Sequence, residues 1–369
     1  MSDTPQIPIV DLQDLNHPNK ARRQGATDAL KEAFGVYGLV YIRNHGIEKE
    51  ELDAFYRALL DFTSQPTADK EALSRPDLWF QRGWTPPNTE RAVVAGGQPD
   101  FKECYFVAPE KLDPVAAAQY PQVYCDNIWP EGNDAFRSHY MNIGHQLHEV
   151  GLSLLRGAAQ ALGMKPYTFE LRVDGGPHVT RSLRYLPLGA DQVNTGILWG
   201  EEHTDFNLLT LLPGGRFITP QGDWCGRPDD DCGLYLRTRP SAEHPNGQMV
   251  QGKAPAGCIV AQVGQQLEIL TGGAFLATPH VIKAPGDPGY SRVSMAHFIH
   301  LHAHQMLFPM EPFLSQEAIK AYSPPVLAGT YGTKTLVDIG LAPPETLSQM
   351  GYRHYERLGS IRAEEDAQS

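Results

Sequence analysis

The chain has 369 residues, and its 31 Lys and Arg against 43 Asp and Glu give a net charge of −12. Apolar residues make up 41% and charged residues 20%, a globular composition that excludes a disordered or fibrous chain. The acidic balance argues against sequence-independent binding to nucleic acid or to an anionic membrane, and no apolar run is long enough for a transmembrane helix.

The opening Met1-Ser2-Asp3-Thr4-Pro5 lacks a basic segment followed by an apolar one, so no signal peptide is expected. Ile7-Pro8-Ile9-Val10-Asp11-Leu12 reads as a first strand. A helix is predicted over 19–36, where Ala26, Leu30, Ala33 and Phe34 share a face. The stretch from Gly38 to Gly46 reads as a buried strand ending in a turn. Leu52, Phe55, Leu59 and Phe62, spaced three and four apart, predict a helix over 48–63. Residues 64–100 are loop-rich, with Pro86-Pro87 and Gly96-Gly97. Ile143, Leu147, Val150, Leu154, Ala158 and Ala161 form the strongest helical pattern, over 134–163, with Gly163 near its end.

From 178 to 304 the texture changes to short apolar runs broken by Gly and Pro: Arg181–Pro187, Asn207–Leu212, Gly233–Arg237, Cys258–Val263, Gln266–Leu270 and Arg292–Ile299. This pattern predicts a sheet sandwich or barrel. After 314 the chain returns to helix, interrupted by Pro324-Pro325 and Pro343-Pro344. The class is therefore α+β. Residues 1–177 form a helix-rich region whose strands join the core, 178–305 form the strand-rich core holding a closed pocket, and 306–369 form a helical extension. Five widely spaced cysteines point to a reducing cytoplasm without a disulfide framework. Cys225 and Cys232 have no second pair, so no zinc site is expected there.

The chemistry centres on Glu202-His203-Thr204-Asp205-Phe206. Side chains on a strand alternate faces, so His203 and Asp205 point the same way and could clasp one ion. His280, in Thr278-Pro279-His280-Val281, is the best candidate for a third ligand. Two His and one carboxylate leave three positions open on an octahedral metal, an arrangement suited to non-haem Fe(II) that also binds a cosubstrate and O2. Zinc would accept the same donors but would support hydrolysis. Arg292 and Ser294 share a strand face by the same alternation. A guanidinium beside a hydroxyl suits a carboxylate, and a structural salt bridge is the competing explanation.

These residues resemble the Fe(II)- and 2-oxoglutarate-dependent dioxygenases, in the branch that includes isopenicillin N synthase. The likeness covers most of the chain. Ile7–Asp11 and Gly38–Gly46 look like that family's N-terminal region, and Leu183-Arg184-Tyr185-Leu186-Pro187 looks like the strand before its metal motif. His203 to Leu212, Gly233-Leu234-Tyr235, Gly264 to Gly273, His280 and the Arg292/Ser294 pair follow in order. Gly264-Gln265 stands where the family often has Gly-Asp, and the difference is expected to be structural. The resemblance implies a distorted double-stranded β-helix (jelly-roll) core with flanking helices. It implies Fe(II) held by His203, Asp205 and His280, with 2-oxoglutarate as cosubstrate and O2 as oxidant. The far carboxylate of 2-oxoglutarate would pair with Arg292 and Ser294, with Tyr185 or Arg184 nearby. The expected reaction is oxidation of a small molecule, most simply hydroxylation, with release of succinate and CO2.

Other features compete. His300, His302 and His304 share a face if their strand stays regular, and would form a rival metal cluster; with no acidic partner nearby, ordinary strand-end histidines near solvent are the favoured alternative. On the same face Ala296 and Phe298 would line the pocket. Glu103 is a candidate contact for a basic substrate group, with a structural salt bridge as the alternative. Phe206 and Asn207 are candidate substrate contacts, with core packing as the alternative. The Gly-, Pro- and Asp-rich stretches Pro213–Cys232 and Arg239–Pro255 read as a lid or substrate loop. The expected partner is a small-molecule substrate, with no nucleic acid and no membrane, in a monomer or homodimer. Two other functions fit the motifs: an Fe(II)/O2 oxidase that does not use 2-oxoglutarate, and a non-enzymatic ligand-binding protein on the same fold.

Overall fold

Residues 7–89, 101–193, 195, 198–239, 244 and 246–349 are described by the computed structural model. Gly96-Gly97 of the loop-rich stretch lies outside them. In chain order the strands of the first half are β1 (Ile9–Asp11), β2 (Leu39–Arg43), β3 (Gly83–Thr85), β4 (Lys102–Val107), β5 (Val179–Tyr185), β6 (Gly200–His203), β7 (Leu209–Leu212) and β8 (Arg216–Ile218). The second half contributes β9 (Trp224–Cys225), β10 (Gly233–Arg237), β11 (Met249–Gln251), β12 (Ile259–Val263), β13 (His280–Lys283) and β14 (Ser291–Ile299).

The larger sheet runs β1-β2-β12-β7-β14-β5-β4-β3, with β8 also on β14 and β9 on β8. The smaller runs β11-β10-β13-β6. Apart from β1 with β2, the pairs are antiparallel. The sheets pack face to face: Leu234, Leu236 and Val250 of the smaller meet Leu39, Tyr41 and Val260 of the larger. This is the α+β, double-stranded β-helix architecture that the resemblance implied. Strands β1 to β4 come from the N-terminal region, so that region and the later strands share one sheet.

The alternation on β14 sorts its side chains. Arg292, Ser294, Ala296 and Phe298 line the space between the sheets. Val293, Met295 and Ile299 belong to the core on the other face. There the long helix Asp134–Ala161 lies against the larger sheet, burying Tyr140, Ile143, Leu147, Val150 and Leu154 at helical spacing. Asn133 caps its start, accepting from the Phe136 amide at 3.1 Å. At Gly151 a Cβ would sit 2.2 Å from Ile299 Cδ1, so a larger residue there would push the buried Ile299 side chain of β14 aside. The Tyr140 hydroxyl ties the helix to β5, accepting from the Ser182 amide at 2.8 Å.

Two elements differ from their sequence readings. Gln266–Leu270 is helical, part of Gln265–Leu270, because a short apolar run fits a buried helical turn as well as a strand. The strand β14 stops at Ile299, and His300–His304 do not continue it. Side chains take the amides a ladder would use: His300 donates to His178 Nδ1 at 3.1 Å, Leu301 to Gln266 Oε1 at 2.9 Å and Ala303 to the Tyr124 hydroxyl at 3.0 Å.

Candidate active site

The register of the smaller sheet places His280, at the start of β13, directly opposite His203, at the end of β6. Their ring centroids are 4.4 Å apart. Asp205 follows in the turn after β6. Its Oδ1 lies 3.6 Å from His203 Nε2 and 4.0 Å from His280 Nε2. One ligand atom from each of the three falls within 4.8 Å of the others, and among the described residues no other group of three His, Cys, Asp or Glu does so.

Each donor is aimed by neighbours. His203 Nδ1 donates to the Glu201 carbonyl at 2.7 Å, which leaves Nε2 with its lone pair toward Asp205. His280 Nδ1 lies 3.3 Å from the Thr278 carbonyl and 2.8 Å from the Gln262 carboxamide. A carbonyl can only accept, so Nδ1 carries the proton. The Gln262 carboxamide is placed with its nitrogen toward Nδ1 and its oxygen buried without a partner; turning it over presents the oxygen to Nδ1–H and satisfies both. Thr210 donates to Asp205 Oδ2 at 2.6 Å, which leaves Oδ1 for the shared centre. Asn207 in turn holds the Thr210 hydroxyl at 3.1 Å. Thr210 and Gln262 face each other in the β7–β12 register, so one pairing supplies both supports.

The turn itself is clamped. The Gln265 amide donates to the Asp205 carbonyl at 2.7 Å and its side chain to Thr204 Oγ1 at 2.6 Å. This gives Gln265 the structural role expected of it. A Cβ on Gly264 would lie 2.1 Å from the Asn207 carbonyl oxygen, so glycine is required for the close approach.

Burial opposes the charge on Asp205, but the adjacent His280 and His203 outweigh it and hold the carboxyl well below its ordinary range. Burial, reinforced by the His203 charge, pushes His280 down to about 4. At His203, whose side chain is 43% exposed, the cost of leaving water is overcome by the Asp205 carboxylate, and the pKa rises. Two imidazoles and one carboxylate, all converging, fit a divalent first-row metal with open positions.

The three donors sit between two cavities. The outer one, about 560 Å3, runs from His203 and His280 to Arg292 and Ser294. There the Arg292 guanidinium lies over the rings of Tyr185 and Phe217, 5.3 and 5.8 Å from their centroids. Ser294, two residues on along the same strand face, is buried. Arg184, the other residue expected here, points to the opposite face of β5: its Nη1 donates to Thr63 Oγ1 at 3.1 Å and Ser64 Oγ at 3.2 Å. The period-two alternation that brings Tyr185 into the cavity takes Arg184 out of it.

The inner cavity, about 200 Å3, lies on the other side of the donors and is lined by Phe206, Asn207, Phe298 and His300 among others. The C-terminal helix Ala328–Asp338 closes it with Thr333 and Leu336. Asn207 is 1% exposed and spends its amide on Thr210 and the Leu209 carbonyl, so its contact with the cavity is that of a supporting wall.

Glu103 does not reach either cavity. Its carboxylate accepts from Lys70 Nζ and Trp84 Nε1, both at 2.7 Å, with Lys70 and Glu103 side chains 6% and 4% exposed. The structural salt bridge replaces the substrate contact. The His300/His302/His304 cluster disperses: His302 pairs with Asp113 Oδ2 at 2.9 Å, His304 with Gln119 Oε1 at 3.0 Å, and only His300 faces a cavity. Described residues of Pro213–Cys232 and Arg239–Pro255 line the outer cavity beside Arg292, not the inner one, so the lid or substrate-loop reading shifts to the Arg292 end. Residues 240–243 and 245 of the second stretch lie outside the described residues. The sequence reading passed over Thr210, Gln262 and the inner-cavity residues Gln81, Arg82 and Thr333. Of these only Thr210 had a signal, lying within the motif after His203.

Comparison with known proteins agrees with this geometry. The N-terminal family of non-haem dioxygenases in morphine synthesis matches residues 7–132. Homoarginine-6-hydroxylase 2-ODD-233 of Oryza sativa subsp. japonica is 26% identical over 326 residues, covering 84% of this chain and 90% of its own. The 2'-deoxymugineic-acid 2'-dioxygenase of Hordeum vulgare is 25% identical over 325 residues, covering 86% and 80%. In fold, a 2OG-Fe(II) oxygenase family protein from Caulobacter crescentus superimposes with a TM-score of 0.73 at 24% identity, over 91% of this chain and all of that one. A full-length Neurospora crassa protein, solved in complex with alpha-KG, gives 0.72 at 21% identity over 91% and 98%. A jelly-roll whose smaller sheet carries both histidines on neighbouring strands, matched from its N-terminal region to its core by these relatives, leads to one conclusion: along most of its length the chain is similar to the Fe(II)- and 2-oxoglutarate-dependent dioxygenases.

Proposed function

We propose that this protein is a dioxygenase that uses Fe(II), 2-oxoglutarate and O2 to oxidise a small molecule, most simply by hydroxylation, releasing succinate and CO2. The observation that carries the reading is the His203–His280 pair across β6 and β13, with the Asp205 carboxylate turned to both and Arg292 with Ser294 at the far end of the same cavity.

In this reading His203, Asp205 and His280 hold the iron, and Arg292 and Ser294 take the far carboxylate of 2-oxoglutarate against the Tyr185 ring. The bound iron supplies the oxidising chemistry. The chain supplies the rest. The Glu201 and Thr278 carbonyls hold both histidines in the tautomer that offers Nε2. Thr210 keeps one carboxylate oxygen of Asp205 occupied and the other free. Phe298 and Phe206 wall the inner cavity where substrate would sit, limiting water near the donors. Free cysteines at 104, 125, 225, 232 and 258 fit a reducing compartment such as the cytoplasm. No helix among the described residues is long and apolar enough to cross a membrane.

An anaerobic Fe(II) titration with and without 2-oxoglutarate tests the proposal. A visible charge-transfer band that requires both, followed by succinate formation on admitting air, is the expected result. A band with iron but indifferent to 2-oxoglutarate would move the protein to an Fe(II)/O2 oxidase of the isopenicillin N synthase type. No band at all would leave only ligand binding.

A further inference from the structure

Beyond the three donors, the inner cavity is walled by apolar side chains, Phe106, Val179, Phe298 and Leu336 among them, and by the charged Glu201, Lys102 and Arg181, the last lying over the Phe106 and Phe298 rings. Arg82 also lines it and is 1% exposed. Its Nε donates to the Cys125 carbonyl at 3.1 Å, Nη1 to the Gln81 carbonyl at 2.6 Å and Nη2 to the Val123 carbonyl at 3.0 Å. A guanidinium carries five N–H groups, so two remain. Carbonyls satisfy hydrogen bonds but carry no countercharge. Among the described residues, the one carboxylate whose field reaches Arg82, that of Asp126, is itself exposed to water. A cation this deep, with no neutralising partner in contact among the described residues, is costly, and the cost falls when an anion enters.

The backbone leading to Arg82 is held under strain. Trp79 and Phe80 both adopt left-handed conformations, with φ of 51° and 56°, which bulky residues rarely do. Trp79 is locked there by Leu336 and Leu341, so the turn and the C-terminal wall of the cavity form one packed unit. Strain of this kind persists only where the surroundings impose it. Here it fixes the segment that presents Arg82. His300, on the same wall and within the field of Arg82, is kept neutral by burial and offers a hydrogen-bonding group without charge.

We propose that Arg82 determines specificity in the inner cavity and that the substrate is an organic carboxylate with an apolar body, its carboxylate taken by the remaining guanidinium N–H groups. The proposal rests on the dioxygenase reading for the assignment of this cavity to substrate. Two donors suit a monocarboxylate. A phosphate monoester, with more charge and more acceptors, would be left under-satisfied.

The test uses protein saturated with Fe(II) and 2-oxoglutarate under anaerobic conditions. It is titrated calorimetrically with phenylacetate, 3-phenylpropionate and 4-phenylbutyrate and, in parallel, with their primary amides. For at least one chain length the acid is expected to bind about tenfold tighter than its amide or better. Arg82→Met should erase that preference and Arg82→Lys should keep part of it. Equal affinity for acid and amide, or binding of neither, overturns the proposal. Should Arg82→Met fail to fold, the wild-type ratio decides alone. The charge-transfer band is read on the same samples: its absence defeats the dioxygenase reading, whereas a normal band without acid preference defeats only the carboxylate inference.

Discussion

At the scale of single residues, the donors and their supports separate by what each loss should do. His280→Ala removes one of the three proposed metal donors and is expected to abolish stoichiometric Fe(II) binding, measured by metal analysis after desalting. Full iron content in that variant would overturn the assignment. Arg292→Ala should keep iron but weaken 2-oxoglutarate by about 30-fold or more, since truncating one side of a buried charged pair is expensive. The measurement is a titration of the charge-transfer band. Thr210→Val keeps the shape of the side chain but frees Asp205 Oδ2. Lost second-layer hydrogen bonds typically weaken metal affinity by about 10- to 100-fold, and competition with a chelator would show it. Glu103→Ala belongs to stability. It strands the Lys70 ammonium in the interior and should cost about 3–5 kcal/mol in urea unfolding, with iron affinity in the surviving folded fraction unchanged.

At the scale of elements, the site depends on one strand pairing in each sheet. The β6–β13 pairing sets the two imidazoles opposite each other, and the β7–β12 pairing sets Thr210 opposite Gln262 behind them. A slip of one residue in β13 would turn His280 away from the cavity and put Val281 in its place. The helix Gln265–Leu270 acts as a brace between these pairings, because its first residue bonds both Thr204 and the Asp205 carbonyl. Gly264→Ala should therefore displace the ligand turn. The expected signature is weakened iron binding with near-normal far-ultraviolet circular dichroism. Unaltered iron affinity would show that the turn relaxes freely.

At the scale of the whole molecule, the interface between the long helix and the larger sheet holds a buried histidine cluster that should make the fold acid-sensitive. His148 Nδ1 lies 3.2 Å from His297 Nε2, Thr180 Oγ1 lies 2.9 Å from His297 Nδ1, and the His148 and His178 rings are 4.5 Å apart. Burial, reinforced by neighbouring imidazoles, pushes His148 down to about 4 and lowers His178 and His297 well below their ordinary range. Burial also takes His300 to about 4. In the unfolded chain each would titrate near 6.5, so below that pH the unfolded state binds more protons than the folded one. The stability these neutral histidines contribute is present above about pH 6.5 and is lost as pH falls toward 4. Each group costs at most about 1.4 kcal/mol per pH unit within that window. Urea midpoints measured at pH 7 and pH 5 should fall accordingly, and equal midpoints would remove the cluster from the account.

How much of this was legible in the sequence depended on the range of each interaction. Alternation within one strand put Arg292 on the side of Ser294, because that relation is local and periodic; for His203 and Asp205 the expected strand ends at His203, and the turn after β6 brings the carboxylate to the imidazole instead. The same rule placed Tyr185 and Arg184 on opposite faces. Helical spacing likewise located the long helix nearly to its ends. The amino-acid order also determined the α+β class, the short-strand texture after residue 178 and the ordered motifs that carry the family resemblance. Tertiary structure alone decided that Glu103 pairs with Lys70, that His302 and His304 leave the pocket for Asp113 and Gln119, and that Arg82 comes to line the inner cavity. Those partners lie far along the chain or on other elements, and a contact closed by sheet register and packing leaves no periodic trace in the residues that make it.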